Sequence, residues 1–326
     1  MTIRGTVLTG TGGVWRVRTD SGETIEASLR GRLKKADMGR RSDGSVRRDT
    51  VDAAEQAMKL AVGDAVTLER DERDEVWTIG RILPRRSRLA RRAPGGGRGE
   101  RIVAANVDQV VVVFAAAKPD PHPRMLDRFL VIAEGNELAA RVVINKSELV
   151  GLDNARARFA DYERAGYPVH YTSVKEPFGL DELQGALRGR VSVLTGPSGV
   201  GKSSLMNALY PGLDLRVAAI SESVNKGRHT TVGGYAHPLP DAAGGFVVDT
   251  PGLREVGLWS LPPEDLDRCF PEFRPLIPQC RFADCRHGME PDCAVRTAVE
   301  RGELSRERYE SYRKLRSELE DVAHLW

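Results

Sequence analysis

Apolar positions along the chain follow three regimes. Over residues 1–83 they come in short alternating runs, at 5–8, 12–17, 23–27, 63–68 and 76–79. Glycine-bearing turn signals separate the runs, which is the pattern of short strands. Five strands in about 80 residues predict a small β-barrel, of which the OB-fold is the common form. Residues 30–59 interrupt it and carry Arg30, Arg32, Lys34, Lys35, Arg40, Arg41, Arg47 and Arg48. A loop this long inside a compact barrel is functional or disordered. Residues 84–101 are rich in Pro, Gly and Arg, which predicts a basic linker without a core: a solvated tether or an RNA contact.

The second regime spans residues 102–260. A near-continuous β-branched run at 107–114 predicts a strand buried on both faces. Met125, Phe129, Leu130 and Ile132 recur at helical spacing and predict a helix over 123–136. Further strands are expected at 141–144, 168–172, 191–194 and 246–248, with helices at 153–166 and 180–187. This alternation predicts a parallel sheet flanked by helices. The third regime, 261–326, opens with Pro262-Pro263, carries a Cys/His cluster and ends in a charged helical stretch over 305–321. The expected fold class is multidomain: barrel 1–83, linker 84–101, central α/β domain 102–260, and a mostly helical C-terminal domain 261–326.

Composition narrows the options. The chain of 326 residues is 40% hydrophobic and 29% charged, ordinary values for a globular protein. The longest apolar run, 110–117, is too short to cross a bilayer. The start, Met1-Thr2-Ile3-Arg4-Gly5, lacks a basic head followed by an apolar stretch. A cytoplasmic protein without membrane contact is expected. The net charge of +3 hides an asymmetry: residues 1–101 hold 22 Lys and Arg against 15 Asp and Glu, the remainder 27 against 31. A basic head on a mildly acidic body suits contact with a polyanion, or is a solvated arginine-rich surface.

Gly196-Pro197-Ser198-Gly199-Val200-Gly201-Lys202-Ser203 matches G-x-x-x-x-G-K-[ST], between an expected strand and a helical run beginning at Ser204. Glycines let backbone N–H groups converge on phosphate oxygens, and the helix N-terminus adds positive potential. Lys202 is placed to reach the β- and γ-phosphates and Ser203 to ligate Mg²⁺. Asp249-Thr250-Pro251-Gly252 ends another buried strand and matches D-x-x-G. Asp249 there can hold Mg²⁺ through water, and Gly252 can approach the γ-phosphate. Lys226-Gly227-Arg228-His229-Thr230-Thr231 lies between them in a stretch with few apolar residues. It reads as a switch loop in which a Thr, Thr231 in preference to Thr230, ligates Mg²⁺.

Asn145-Lys146-Ser147-Glu148 follows the expected strand 141–144. GTPases read guanine with N-K-x-D, whose carboxylate accepts from the base N1–H and exocyclic amine. Glu148 keeps that chemistry with one more methylene. Ser173-Val174-Lys175 resembles the S-A-K loop that meets the guanine carbonyl. The order is unusual: base-reading motifs come first, then the P-loop, the switch Thr and D-x-x-G. This is the order of a circularly permuted GTPase. A parallel sheet tolerates it, because the site is built at strand tips. The run 178–190 would close the former termini.

Cys280-x4-Cys285-x-His287-x5-Cys293 offers three thiolates and one imidazole. Four N/S ligands fit tetrahedral Zn²⁺ and leave no open position, so one structural zinc is expected. Cys269 and the histidines His122, His170, His237 and His324 have no place in this pattern.

With the barrel in front and the Cys/His cluster behind, the chain resembles the RsgA family, the small-ribosomal-subunit biogenesis GTPases. Residues 104–109, 196–205, 227–231, 249–252 and 280–293 carry the resemblance. It implies a monomeric GTP hydrolase that uses Mg²⁺ and binds the small ribosomal subunit and its 16S rRNA. Leu253 stands where many GTPases place a water-positioning Gln, so slow intrinsic turnover is expected. The family places a catalytic histidine in the G-R-H-T-T loop, which is His229 here. By the same resemblance GTP contacts fall on Asn145, Lys146, Glu148, Ser173, Val174, residues 196–203, Ser204 and Gly252. Two other readings stay open: a P-loop ATPase acting on nucleic acid, separated by nucleotide competition, and an RNA-binding module with a non-catalytic nucleotide site, excluded by multiple turnover.

Overall fold

The computed structural model describes residues 2–29, 60–70, 76–92, 100–213, 215, 234–249 and 261–323. The basic segment 30–59 lies outside them. Strands β1 (Thr2–Thr11), β2 (Val14–Thr19), β3 (Thr24–Leu29), β4 (Ala65–Arg70) and β5 (Trp77–Ile82) close into a barrel in the order β1-β2-β3-β5-β4. Alternation along the strands sends Val7, Trp15, Val17, Val66, Leu68 and Ile79 to its interior. In β1 the register against β2 shifts between Val7 and Thr9, a β-bulge. The bulge breaks the alternation: Val7 stays in the barrel core, while Leu8 is buried in the cluster shared with the central domain.

Residues 84–101 correct the expectation of a coreless tether. Strand β6 (Arg88–Arg92) pairs antiparallel with β7 (Glu100–Ala105), and Leu89 is fully buried. The arginine-rich average of the segment hides two adjacent apolar residues, Leu89 and Ala90, which are enough to anchor a hairpin strand. Charged groups fix the joint. Arg85 makes a bidentate pair with buried Asp64 at 2.6 and 2.7 Å. Asn106, at φ +55°, donates to Gly63 O at 2.9 Å, while its Oδ1 accepts from Arg86 N at 3.0 Å. Asp108 pairs with Arg86 and accepts from Val191 N at 2.7 Å; the Arg86 hydrogen bond holds its carboxyl below the usual range. Barrel, hairpin and central domain therefore meet through short polar contacts.

The central sheet has the order β10-β9-β8-β11-β13-β12. Its members are β8 (Gln109–Ala115), β9 (Ala139–Asn145), β10 (Val169–Tyr171), β11 (Val191–Thr195), β12 (Tyr235–Pro238) and β13 (Phe246–Asp249). All neighbours are parallel except β12 on β13. The antiparallel edge strand was not expected; it has four residues and ends in proline, too little for a periodic signal. β8 is buried along its whole length, as its β-branched run predicted. Val110, Val112 and Phe114 face one side, with helices α1 (Pro123–Gly135) and α2 (Leu152–Arg164). Val111, Val113 and Ala115 face the other, with α3 (Leu180–Leu187) and α4 (Lys202–Leu209). Helix α3 covers the residues expected to join the ancestral termini. Gly179 opens it at φ +68°, where a Cβ would stand 2.1 Å from Tyr171 O.

The tail begins with four 3-10 turns between Pro263 and Gln279, followed by α5 (Ala294–Glu300) and α6 (Arg306–Ala323). Its aromatic group, Phe270, Phe273 and Tyr312, belongs to the same apolar cluster as α1 and the sheet. At its centre sits Arg308, 3% exposed. Its Nη1 donates to Asp127 of α1 at 2.6 Å, it pairs with Glu272, and its guanidinium lies over Tyr162, Tyr167 and Phe270. Burial pushes the Asp127 carboxyl up to about 6 against the opposing pull of Arg308. Removing one partner of such a group strands the others without compensation. Arg308→Met is expected to cost about 3–5 kcal/mol in urea unfolding, whereas Arg164→Met, at an exposed pair with Asp161, should change stability by about 1 kcal/mol or less.

Candidate functional site

The parallel strands β8, β9, β10, β11 and β13 end at one edge of the sheet, where ligands of open α/β sheets bind. β11 runs into the loop 196–201, and α4 starts at Lys202. Gly196 has φ +135°, and a Cβ on it would stand 2.0 Å from Val113 O. Only glycine lets the loop leave β11 so close to β8. Gly201, at φ +92°, caps α4, and its Cβ would fall 2.6 Å from Asn145 Nδ2. Between them Pro197 is half-buried, Ser198 and Gly199 are exposed, and Val200 is packed into the core; Ser204 is half-buried beyond. Lys202 and Ser203 are buried at the start of the helix. Lys202 Nζ donates to Gly196 O at 2.9 Å and Pro197 O at 2.6 Å, which holds its charge inside the turn.

The base-reading candidates close on this loop from the side. Asn145 ends β9, and its Nδ2 donates to Val200 O at 2.9 Å while its Oδ1 accepts from Thr172 at 3.2 Å. Lys146, at φ +58°, donates to Gly199 O at 2.6 Å and to Lys118 O. Ser147 N donates to Thr172 O at 3.1 Å. Ser173 Oγ accepts from Glu176 N at 3.0 Å, and Val174 packs beside the α3–α4 cluster. The Glu148 Oε2 atom is buried with no hydrogen-bond partner among the described residues. A buried acceptor of this kind suits a ligand that brings N–H donors. Asp249 ends β13 in register with Leu194 of β11, one strand from the P-loop. Sequence reasoning missed Lys118 and placed Thr172 in the guanine-loop stretch 171–175 without a role of its own. Lys118 acts through its carbonyl, which leaves no residue-type signal; Thr172 immediately precedes Ser173. His229, Thr230, Thr231, Gly252 and Leu253 lie outside the described residues.

The second constellation is in the tail. The ligand atoms of Cys280, Cys285, His287 and Cys293 lie within 4.8 Å of one another. His287 Nδ1 faces Cys280 Sγ at 3.6 Å and Cys293 Sγ at 3.4 Å, while Nε2 faces Asp267 Oδ2 at 3.3 Å. A carboxylate behind the imidazole fixes its tautomer and orientation toward a metal. Tyr309 donates to His287 O at 2.6 Å, and Arg296 N donates to Cys293 Sγ at 3.4 Å. Burial pushes the Cys285 thiol up to about 12, so a set of thiolates here needs a cation. The donor set fits a tetrahedral N/S ion. Asp267 precedes Cys280 by 13 residues, and nothing in its surroundings in the chain marks it. Cys269 is a core residue, its thiol pushed up to about 12 by burial.

A closed barrel, a sheet with the motif order of a permuted P-loop GTPase, and a tail with a Cys/His metal cluster together define the class. The family model described as RsgA GTPase matches residues 82–259. A curated relative from Gemmatimonas aurantiaca, named small ribosomal subunit biogenesis GTPase RsgA, is 61% identical over 97% of each chain. One of the same name from Azotobacter vinelandii is 45% identical over 73% of this chain and 68% of its own. Among solved structures, YjeQ from Thermotoga maritima matches with TM-score 0.74 and 35% identity over 98% of this chain and 99% of its own. YloQ, described as a circularly permuted GTPase, matches with TM-score 0.69 and 29% identity over 98% and 96%. The chain belongs to the RsgA GTPase family.

Gly196→Ala places a methyl group against Val113 O and is expected to abolish nucleotide binding by isothermal calorimetry. Elemental analysis is expected to find one zinc per chain. Cys293→Ala should reduce that to near zero, and chelation should lower the melting temperature of the wild type only.

Proposed function

We propose that this chain hydrolyses GTP to GDP and phosphate on the small ribosomal subunit, late in the subunit's maturation, and then leaves it. The carrying observation is the single sheet edge at which Asn145, Lys146, the loop 196–203 and Asp249 converge in permuted order. The names of the relatives support the ribosomal setting. The excess of basic residues in 1–101 supports contact of the barrel with 16S rRNA.

The chain's own groups divide the work. Backbone N–H groups of 196–204 and the Lys202 ammonium stabilise charge on the β- and γ-phosphates. Ser203, Asp249 and Thr231 hold Mg²⁺, which when bound neutralises charge that builds on the phosphate oxygens. Asn145 braces the loop, Lys146 covers the base, and Glu148 accepts from the guanine N–H groups. Ser173, Val174 and Gly252 complete the pocket. His229 positions the attacking water in place of the Gln that Leu253 replaces, and the subunit stimulates that step. The Cys/His cluster holds one structural zinc, which fixes the fold of the tail. No helix among the described residues is long and apolar enough to cross a membrane, and the setting we assign is a cytoplasmic monomer.

Phosphate release with and without small subunits tests the reading, with ATP as competitor. The wild type is expected to turn over GTP repeatedly, faster with subunits, and to ignore ATP. Lys202→Ala should lose about 10²–10³-fold in kcat. Glu148→Ala should weaken GTP binding by about 10- to 100-fold, the scale of a charged hydrogen bond, and leave ATP binding unchanged. His229→Ala should keep GTP affinity and lose about 10²-fold of the stimulated rate. ATP turnover at the GTP rate, or none with either nucleotide, would contradict the proposal.

A further inference from the structure

We propose that Thr9 of the barrel is a positioning residue for GTP hydrolysis: it holds the strand that links the switch motif to Asp249, so that barrel and nucleotide edge move as one body. The inference rests on the GTPase reading above.

The bulge in β1 is the starting point. It turns Leu8 out of the barrel interior into the cluster shared with the central domain. It leaves the next residue, Thr9, half-buried, with its hydroxyl donating to Gly234 O at 3.2 Å. Gly234 stands three residues after Thr231 in the chain and directly precedes β12. Tyr235, its neighbour, pairs with Asp249 across the antiparallel edge. Gly234 itself is so close that a Cβ there would lie 3.0 Å from Asp249 O and 3.8 Å from Val62 of the barrel. One glycine is thus packed between the barrel and the backbone of Asp249.

The barrel side of this contact is itself anchored. Val62 is buried and bridges to Ala104 of β7. Gly63 N donates to Val7 O at 2.9 Å, and Gly63 O accepts from Asn106 at 2.9 Å. A displacement of β1 is passed to β12 through the Thr9 hydrogen bond and the close packing at Gly234. Bulges beside functional sites re-aim side chains in this way. A shift of about 1 Å at a group that orders the reactants can cost about 10²-fold in rate, so a ligand that tilts the barrel is felt at Asp249. Reciprocity of coupling requires the nucleotide to be felt in the barrel.

The test compares Thr9→Val, which keeps the shape and removes the donor, with Thr9→Ser, which keeps the donor. Steady-state GTP hydrolysis with small subunits, giving kcat and KM, and thermal melting are measured for both and for the wild type. Thr9→Val is expected to melt with the wild type, keep KM within about twofold, and lose about fivefold in kcat, the scale of one neutral hydrogen bond. Thr9→Ser should return to within about twofold of the wild-type rate. An unchanged kcat in Thr9→Val overturns the inference, also where its melting point falls, and so does a Thr9→Ser as slow as Thr9→Val. A wild type that releases no phosphate from GTP defeats the GTPase reading and this inference together; a wild type that does, beside an unimpaired Thr9→Val, defeats Thr9 alone.

Discussion

The Asn145 amide bonded to Val200 O at 2.9 Å ties together two loops that are 55 residues apart. In this chain the base-reading loop precedes the phosphate loop, so no local sequence effect can bring them into contact. The tie works because β8 lies between β9 and β11, all parallel, so both loops emerge at the same height on the same edge. Lys146 adds a second tie to the same loop at Gly199. The close approach of Gly196 to Val113 O sets the spacing.

The permutation also decides where the additional domains attach. In an unpermuted sheet, β13 would lead into β8. Here that connection is absent from the chain order: the barrel and hairpin lead into β8, and the tail follows β13. Both attachments are therefore next to strands that end at the nucleotide edge. Asp108 and Asn106 lock the incoming side, and Arg308, held by Asp127 and Glu272, locks the outgoing one. Burying an arginine between two carboxylates and three rings favours one relative placement of helix and sheet over its neighbours. A shift of α6 by one turn would leave all three charges unpaired.

Much of the nucleotide edge was legible in the sequence because its chemistry restricts residue type. A loop on which a Cβ would stand 2.0 Å from a neighbouring carbonyl must carry glycine, and a strand buried on both faces is apolar over nearly all its length, as β8 is after Gln109. Helix α3 was legible because Leu183 and Leu187 repeat at helical spacing. Strand β6 was not, since only Leu89 and Ala90 mark it among arginines. Nor was the Leu8 bulge: Val7 and Leu8 look alike in a sequence, and only the neighbouring strand's register separates their destinations. Asp127 and Asp267 read as surface acids until Arg308 and His287 arrive from remote segments. Tertiary pairing of charges leaves no periodic trace.

One apolar cluster contains Leu8 and Val62 from the barrel, Val112 and Phe114 from the sheet, and Phe270 and Tyr312 from the tail. Three architectural units thus meet in one shared hydrophobic cluster, beside the barrel's own core and the one under α3 and α4. Excising the barrel or the tail would uncover oily surface on the central domain, so these parts could not have been traded as freely as beads on a string. Loss and gain of sequence should concentrate instead in the stretches that contribute nothing to that cluster.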